Sequence, residues 1–207
     1  TRNQVSHYNS DYSLKKRYGN LIPAVPNNGI NSIYEDHFGN IWVCTWGGGL
    51  YKYLKNTDTF MSFPTLGANN NPFKIFQDKD DQYWILTWGD GIYRFHPDAT
   101  EDKMYTHQEI FNEKLHQPET AFFSVVQDDV YGYIWIFGYH ELYAFKVADG
   151  HLEKVDLSSY MFDYNKMFSQ IIKDREGNLW AGAYDSGYHL LMGNPAIANN
   201  FLPKLKR

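Results

Sequence analysis

The chain carries a single cysteine, Cys44, among 207 residues. One thiol makes no internal disulfide, and Cys44 has no partner motif that would mark a redox or catalytic thiol. It stands two residues past a tryptophan inside an apolar run, the place of a small buried side chain. No apolar run comes near the roughly 20 residues of a membrane-spanning helix, so no membrane contact by this segment is expected. The opening residues hold no signal-peptide h-region, and the sequence starts in the middle of a pattern. The expectation is a piece of a longer protein. Basic charge is not in excess either: 19 Lys and Arg stand against 24 Asp and Glu, a net charge of −5, which argues against a nucleic-acid partner.

Motifs for metal and catalysis are also missing. The eight histidines show neither H-x-H nor H-E-x-x-H spacing, so neither a metal nor any other cofactor is expected. There is no G-x-S-x-G elbow and no Gly-rich phosphate loop. Asp78-Lys79-Asp80-Asp81 looks like the start of a calcium loop, but it lacks the Gly and the downstream Glu that such a loop requires. It falls where a hairpin turn is needed.

Aromatic residues, by contrast, make up 18% of the chain, with 17 Tyr and 6 Trp. They recur in a pattern. NSIYEDHFGNIWVCTWGGGLYKY (Asn31–Tyr53) returns as FKIFQDKDDQYWILTWGDGIYRF (Phe73–Phe95), as FSVVQDDVYGYIWIFGYHELYAF (Phe123–Phe145) and as SQIIKDREGNLWAGAYDSGYHLL (Ser169–Leu191). In each copy an Asp (Asp36, Asp78, Asp128, Asp174) precedes a Trp (Trp42, Trp84, Trp135, Trp180), by 6, 6, 7 and 6 residues. The steps from Trp to Trp are 42, 51 and 45. A period of roughly 40–50 residues signals a stack or ring of similar units.

Within a copy, two runs rich in β-branched and aromatic residues flank a turn with Gly and Asn, the signature of a β-hairpin. The Asp carboxylate is suited to accept hydrogen bonds from turn N–H groups. Gly39 and Gly177 supply a positive φ there, and in the second copy Asp81 stands at that place, a residue that tolerates the left-handed region. The third copy is one residue longer, which predicts a bulge or wider turn at Asp129–Gly132. The Trp is read as a wedge between neighbouring sheets, removing ~150–250 Å² from water, worth at most about 4–6 kcal/mol. A Gly-rich turn and a third strand follow (Leu50–Tyr53, Ile92–Phe95), then a looser fourth (Thr59–Phe63, Met104–His107, Leu152–Val155). Three to four antiparallel strands per repeat, with an aromatic wedge between repeats, predict an all-β fold, a β-propeller of about four blades.

The first copy, I-x-S-I-x-E-D-x-x-G-N-I-W-V-x-T-x-x-G-G-L-Y, resembles the two-component regulator propeller repeat. The second copy loses the turn Gly, the third loses the turn Asn and the Gly pair, and the fourth has Tyr188 where Leu is usual. Sialidase-type Asp boxes also set Asp, Gly and Trp in a hairpin, so the whole repeat carries the resemblance. The resemblance implies a place in the periplasmic sensor region of a hybrid two-component system, where seven-bladed propellers detect glycans or their breakdown products. It implies an oligosaccharide or glycan fragment as partner, and a histidine kinase attached in the full-length protein. A homodimer through the propeller, or a structural module without its own ligand, is the alternative, as is a propeller polysaccharide lyase or glycosidase. The segment itself is expected not to be an enzyme.

Along the chain, Val5–Tyr8 and Leu14–Tyr18 resemble the two outer strands of a blade, and Pro23 and Pro26 mark a crossing to the next. Residues 1–207 are expected to form one propeller segment, with 193–207 as tail or linker. Either Leu14–Tyr18 pairs with the last copy to close a four-bladed ring, or the chain is part of a larger propeller. Glu109–His116 is compatible with one or two helical turns.

Four residues after each Trp stands another aromatic: Trp46, Trp88, Tyr139 and Tyr184. In a strand, positions i and i+4 point to the same side, so these rings continue the wedge side toward the Gly-rich turn. With Asp90, His140, Asp185 and Ser186 beside them they could line a sugar-stacking rim, rings against pyranose C–H faces and polar groups toward hydroxyls. The ligand-binding candidates are therefore Trp46, Trp88, Asp90, Tyr139, His140, Tyr184 and Asp185. Asp90 is the strongest polar candidate, because its repeat equivalent, Gly48, shows that the turn does not demand Asp. Asn31, Asn71, Glu119, Thr120 and Lys166, at the starts of the inner strands, could share that face.

Overall fold

The structure, a computed structural model, describes residues 4–19, 29–62, 71–89, 91–95, 121–129, 132–139, 141–155, 168–183 and 187–192. These form sixteen strands and no helix. In chain order they are β1 (Val5–Tyr8), β2 (Leu14–Tyr18), β3 (Ile30–Glu35), β4 (Ile41–Thr45), β5 (Gly49–Leu54), β6 (Thr59–Ser62), β7 (Pro72–Gln77), β8 (Tyr83–Thr87), β9 (Ile92–Phe95), β10 (Phe122–Asp128), β11 (Tyr133–Gly138), β12 (Leu142–Lys146), β13 (His151–Lys154), β14 (Phe168–Lys173), β15 (Leu179–Ala183) and β16 (Gly187–Met192). Their sheets are β1-β2, β3-β4-β5-β6, β7-β8-β9, β10-β11-β12-β13 and β14-β15-β16, all in sequence order and all antiparallel. The four repeat copies are thus four successive up-and-down sheets, and the looser fourth strands of the first and third copies are β6 and β13. Met104–His107, Glu109–His116, Pro23, Pro26 and the 193–207 tail lie outside the described residues.

Register repeats with the sequence. The residue two before the Asp faces the Trp in every hairpin: Tyr34 opposite Trp42, Phe76 opposite Trp84, Val126 opposite Trp135, Ile172 opposite Trp180. An irregularity that the residue pattern did not announce also repeats. Each first strand shifts register near its start, between Ile30 and Ser32, Pro72 and Lys74, Phe122 and Ser124, and Phe168 and Gln170. Such bulges bend the strand and re-aim the side chains beyond them. The longer third copy does make a wider turn: Gly132 N–H reaches Asp128 O, four residues back, whereas Gly39, Asp81 and Gly177 each reach three residues back. Asp81 takes the left-handed conformation with φ 59.

The Asp does more than hold its turn. Asp36 Oδ1 accepts Phe38 N–H and Asn40 N–H at 3.0 and 2.7 Å, while Oδ2 accepts the Trp42 indole N–H at 2.8 Å. Asp78 accepts Trp84 at 2.7 Å and Asp174 accepts Trp180 at 2.8 Å in the same way. Spacing of six residues is what lets a carboxylate at the turn and an indole in the next strand meet. In the third repeat, with seven, the Trp135 indole N–H is buried and has no hydrogen-bond partner. Burial would raise the Asp36 carboxyl, but hydrogen bonds from Tyr83, Trp42 and Asn40 together outweigh it and hold it below the usual range. Asp174 is held down to about 2 by the indole of Trp180 and the side chain of Asn178.

The chain packs as two compact units, residues 1–104 and 105–207. In the first, one face of β3–β5 meets one face of β7–β9. Trp42, Cys44 and Leu50 pack there with Ile75, Tyr83, Ile85 and Tyr93, the Trp42 and Tyr83 rings 5.4 Å apart. Tyr83 O–H also donates to Asp36 Oδ2 at 2.5 Å, so one carboxylate ties its own Trp and the next sheet's Tyr. Cys44 is fully buried in this layer, which pushes its thiol up to about 12; no thiolate forms near neutral pH. On the opposite face of this sheet, Val5 and Tyr18 of β1-β2 pack with Ile30, Val43, Tyr51, Tyr53 and Phe60. Asp58, in the β5–β6 turn, clasps that hairpin: it accepts Lys16 Nζ at 2.5 Å and the Tyr18 and Tyr53 hydroxyls at 2.6 Å each. These donors, Lys16 first, hold its carboxyl well below the usual range.

Among the described residues, β2 takes β1 as its ladder partner, in a sheet of two, and Tyr18 is held by Asp58 and the ring cluster of the first blade. In the second unit, Ser124 Oγ accepts Ile171 N–H at 3.0 Å, joining β10 to β14. Trp135 is fully buried. Trp180 departs from the wedge expectation: it is only half-buried, and among the described residues no sheet follows β14-β15-β16 to cover it.

Candidate functional site

In the first two repeats, T-W-G-x-G follows the Trp strand. Thr45 Oγ1 and Thr87 Oγ1 turn back to donate to Gly49 O and Gly91 O, both at 2.6 Å. The turn alternates its demands: Gly47 and Gly49 have φ 74 and 83, Gly89 and Gly91 have φ 79 and 84, and Gly48 between them has no positive φ. The flanking glycines are therefore required, and the middle place is open to a side chain. Asp90 occupies that place in the second repeat and itself lies outside the described residues.

These turns carry Trp46 and Trp88, just past the ends of β4 and β8. Trp46 N–H donates to Gly29 O at 2.8 Å and Trp88 N–H to Asn71 O at 3.0 Å, so each ring sits where the repeat's first strand begins. The two indoles meet edge to face, centroids 5.4 Å apart and planes at 70°. Each remains 37% exposed. Neighbouring rings at this angle attract through their quadrupoles, and the arrangement leaves apolar ring surface open to solvent. Asn71 is the bracket between the turns: besides accepting Trp88 through its carbonyl, its Oδ1 accepts Gly47 N–H at 2.6 Å. Asn31 Nδ2 donates to Pro72 O at 2.9 Å and Ser32 Oγ to Phe73 O at 3.0 Å. Asn31 and Asn71 thus serve by fixing one repeat's turn against the next.

Of the residues singled out from sequence, the structure brings together Trp46 and Trp88. Tyr139, in the second unit, lies against Phe123 with centroids 5.9 Å apart. His140, Tyr184 and Asp185 lie outside the described residues, as do Glu119, Thr120 and Lys166. The residues that sequence reasoning passed over are Thr45 and Thr87. A signal for the threonines was present, since T-W-G recurs at one repeat position. The place of Asn71 at the start of an inner strand puts it on that face, but its bond to a turn in another repeat has no signal in the sequence.

A family model described as two component regulator propeller matches residues 24–47, the stretch that runs through the Asp–Trp hairpin and into the turn bearing Trp46. This chain carries a two-component regulator propeller repeat. No curated protein matches the sequence. Among solved structures, the extracellular domain of BT4673 from B. thetaiotaomicron, titled in one structure as part of a hybrid two component system, is 21% identical with a TM-score of 0.72, covering 92% of this chain and 25% of that one. The extracellular domain of BT3049, from the same organism and likewise titled, is 18% identical with a TM-score of 0.68, over 92% and 24%. Virginiamycin B lyase from Staphylococcus aureus is 15% identical with a TM-score of 0.64, over 94% and 64%. The chain spans about a quarter of the length of the first two.

These likenesses agree with the strand order in giving a β-propeller fold, each successive sheet a blade. Within the propeller repeat, the Asp–Trp bond and the Thr–Gly bond have separate jobs. The first fixes the hairpin at one end of the blade. The second shapes the turn at the other end, where Trp46 and Trp88 emerge.

Proposed function

We propose that this propeller segment belongs to the extracytoplasmic, periplasmic sensor of a hybrid two-component signalling protein and that it binds an oligosaccharide at the corner formed by Trp46 and Trp88. The observation that carries the reading is the pair of half-exposed indoles, from equivalent places in consecutive repeats, bracketed by Asn71. Aromatic faces suit the C–H faces of pyranose rings, and a few polar groups beside them set orientation. Asp90, in the same turn as Trp88, is the further contact proposed in this unit, and Tyr139, His140, Tyr184 and Asp185, at the corresponding turns of the third and fourth repeats, are proposed as contacts of the second unit by itself. The location follows the extracellular propellers of similar fold. Binding would signal by holding one arrangement of the propeller and its neighbours over another, since a ligand acts only through differential affinity.

Calorimetric titration against a panel of glycans tests this. A glycan that binds the wild type should bind Trp88→Ala and Trp46→Ala on the order of tenfold more weakly or worse, as truncation of an aromatic anchor does. No heat with any glycan from a folded sample would favour a structural or dimerisation module. Release of reducing ends or unsaturated products on long incubation would favour an enzyme acting on polysaccharide.

A further inference from the structure

Trp46 and Trp88 are anchored by backbone as well as by each other. Trp46 N–H is spent on Gly29 O, Trp88 N–H on Asn71 O, and Gly47 N–H on Asn71 Oδ1. Both rings therefore rise from places fixed before any ligand arrives, and what they leave open is apolar ring surface.

Their angle decides how many sugar units the corner can hold. The indole planes stand at 70° to each other with centroids 5.4 Å apart. Successive units of a flat, extended chain present parallel faces, and two rings at that angle cannot both lie against them. One unit can meet both. It lays its C–H face on one indole and turns its edge to the other. Apolar contact needs heavy atoms within about 4.5 Å, so a unit resting on one ring reaches the second within its own width.

The chemistry around the rings is uncharged. The side chains that bond at this corner are Thr45, Thr87, Asn31 and Asn71, and each is turned to a backbone group of the protein. Lys74, the first basic residue along β7, is half-buried, and burial disfavours its charged form. Asp90, two residues past Trp88, is acidic. A carboxylate or sulfate on the sugar would give up water here without gaining a cation.

We propose that the Trp46–Trp88 corner is a one-unit subsite, which takes a single uncharged pyranose ring against both indoles at once. The subsite rests on the reading of this corner as a glycan site, and it adds the size and the charge class of what is held there.

The test uses the whole chain, isotope-labelled, and follows the indole N–H signals of Trp46 and Trp88 by nuclear magnetic resonance, assigned through Trp46→Phe and Trp88→Phe. The probes are the methyl glycosides of glucose, galactose, mannose, xylose and N-acetylglucosamine, their linear disaccharides and trisaccharides, and the methyl glycosides of glucuronic and galacturonic acid. All are titrated into the millimolar range. At least one neutral methyl glycoside should shift both signals with a common midpoint and leave those of Trp42 and Trp84 in place. Its trisaccharide should bind within about threefold of it, because further units gain no contact at the corner. The matching uronic acid should bind on the order of tenfold more weakly, and either Trp46→Ala or Trp88→Ala should cost about tenfold. Affinity that climbs about tenfold with each added unit, or a response from one indole alone, would overturn the subsite while leaving the corner a glycan site. A uronic acid bound as tightly as its neutral counterpart would overturn the charge class. If no probe moves either signal while Trp42 and Trp84 keep their folded positions, the glycan reading fails and the subsite falls with it.

Discussion

Asp36 is a carboxylate whose two oxygens are fully engaged: turn amides on one, Trp42, Tyr83 and Asn40 on the other. A buried acceptor with charge-assisted bonds cannot be removed without leaving several donors unpaired. Asp36→Ala should cost about 2–4 kcal/mol, read as a shift of the urea midpoint. The sign of the pH dependence comes from the direction of the shifts. Asp36 and Asp174 titrate lower in the folded chain than in the unfolded one. Their contribution is complete above about pH 4, the unfolded value, and fades as pH falls through the folded value. Melting temperature should therefore drop between about pH 4 and pH 2, and the drop should shrink in Asp174→Asn. That an Asp would serve the turn was legible in the sequence. That its second oxygen would take the indole was not, since it needs the rotamers of two side chains on different strands.

At the scale of the hairpin, one extra residue separates the third repeat from the others. Trp84 donates to Asp78, whereas Trp135, equally buried, donates to nothing. Trp→Phe removes similar volume at either place, so the difference between the two isolates the hydrogen bond. Trp84→Phe should cost about 1–2 kcal/mol more than Trp135→Phe, measured by chemical denaturation of both variants. A second test concerns the hairpin β1-β2, which hangs on Asp58 in a left-handed turn with φ 52. Asp58→Gly keeps that turn conformation and deletes the clasp. Amide exchange across Val5–Tyr8 and Leu14–Tyr18 should then quicken by about tenfold, with little change in β7–β9. The spacing of seven was visible in the sequence and did predict the wider turn. The repeated bulge at the start of each first strand was not visible, because neither glycine nor proline marks it consistently.

For the molecule as a whole, the likeness to far longer extracellular propellers places this chain as a run of blades. What matters for binding is which turns share an end of the fold. Trp46 and Trp88 are 42 residues apart in sequence and 5.4 Å apart in space, because successive blades repeat the same path. Loss of that adjacency can be checked without a ligand. Asn71→Ala removes the bracket on Gly47 and should weaken glycan binding while leaving the Asp–Trp hairpins intact. It should also change the indole exciton couplet of the Trp46–Trp88 pair in far-ultraviolet circular dichroism.

Period, strand alternation and the Asp-to-Trp interval were enough to specify the blades, because each depends on contacts within about twenty residues of chain. Packing between blades set the rest. It decided that Ile33 is bare while Ile75 is buried, that Trp180 is half-open, and that Asn31 and Asn71 spend their side chains on neighbouring repeats. Those outcomes depend on what stands on the far side of a sheet, and a strand's own residues carry no record of that.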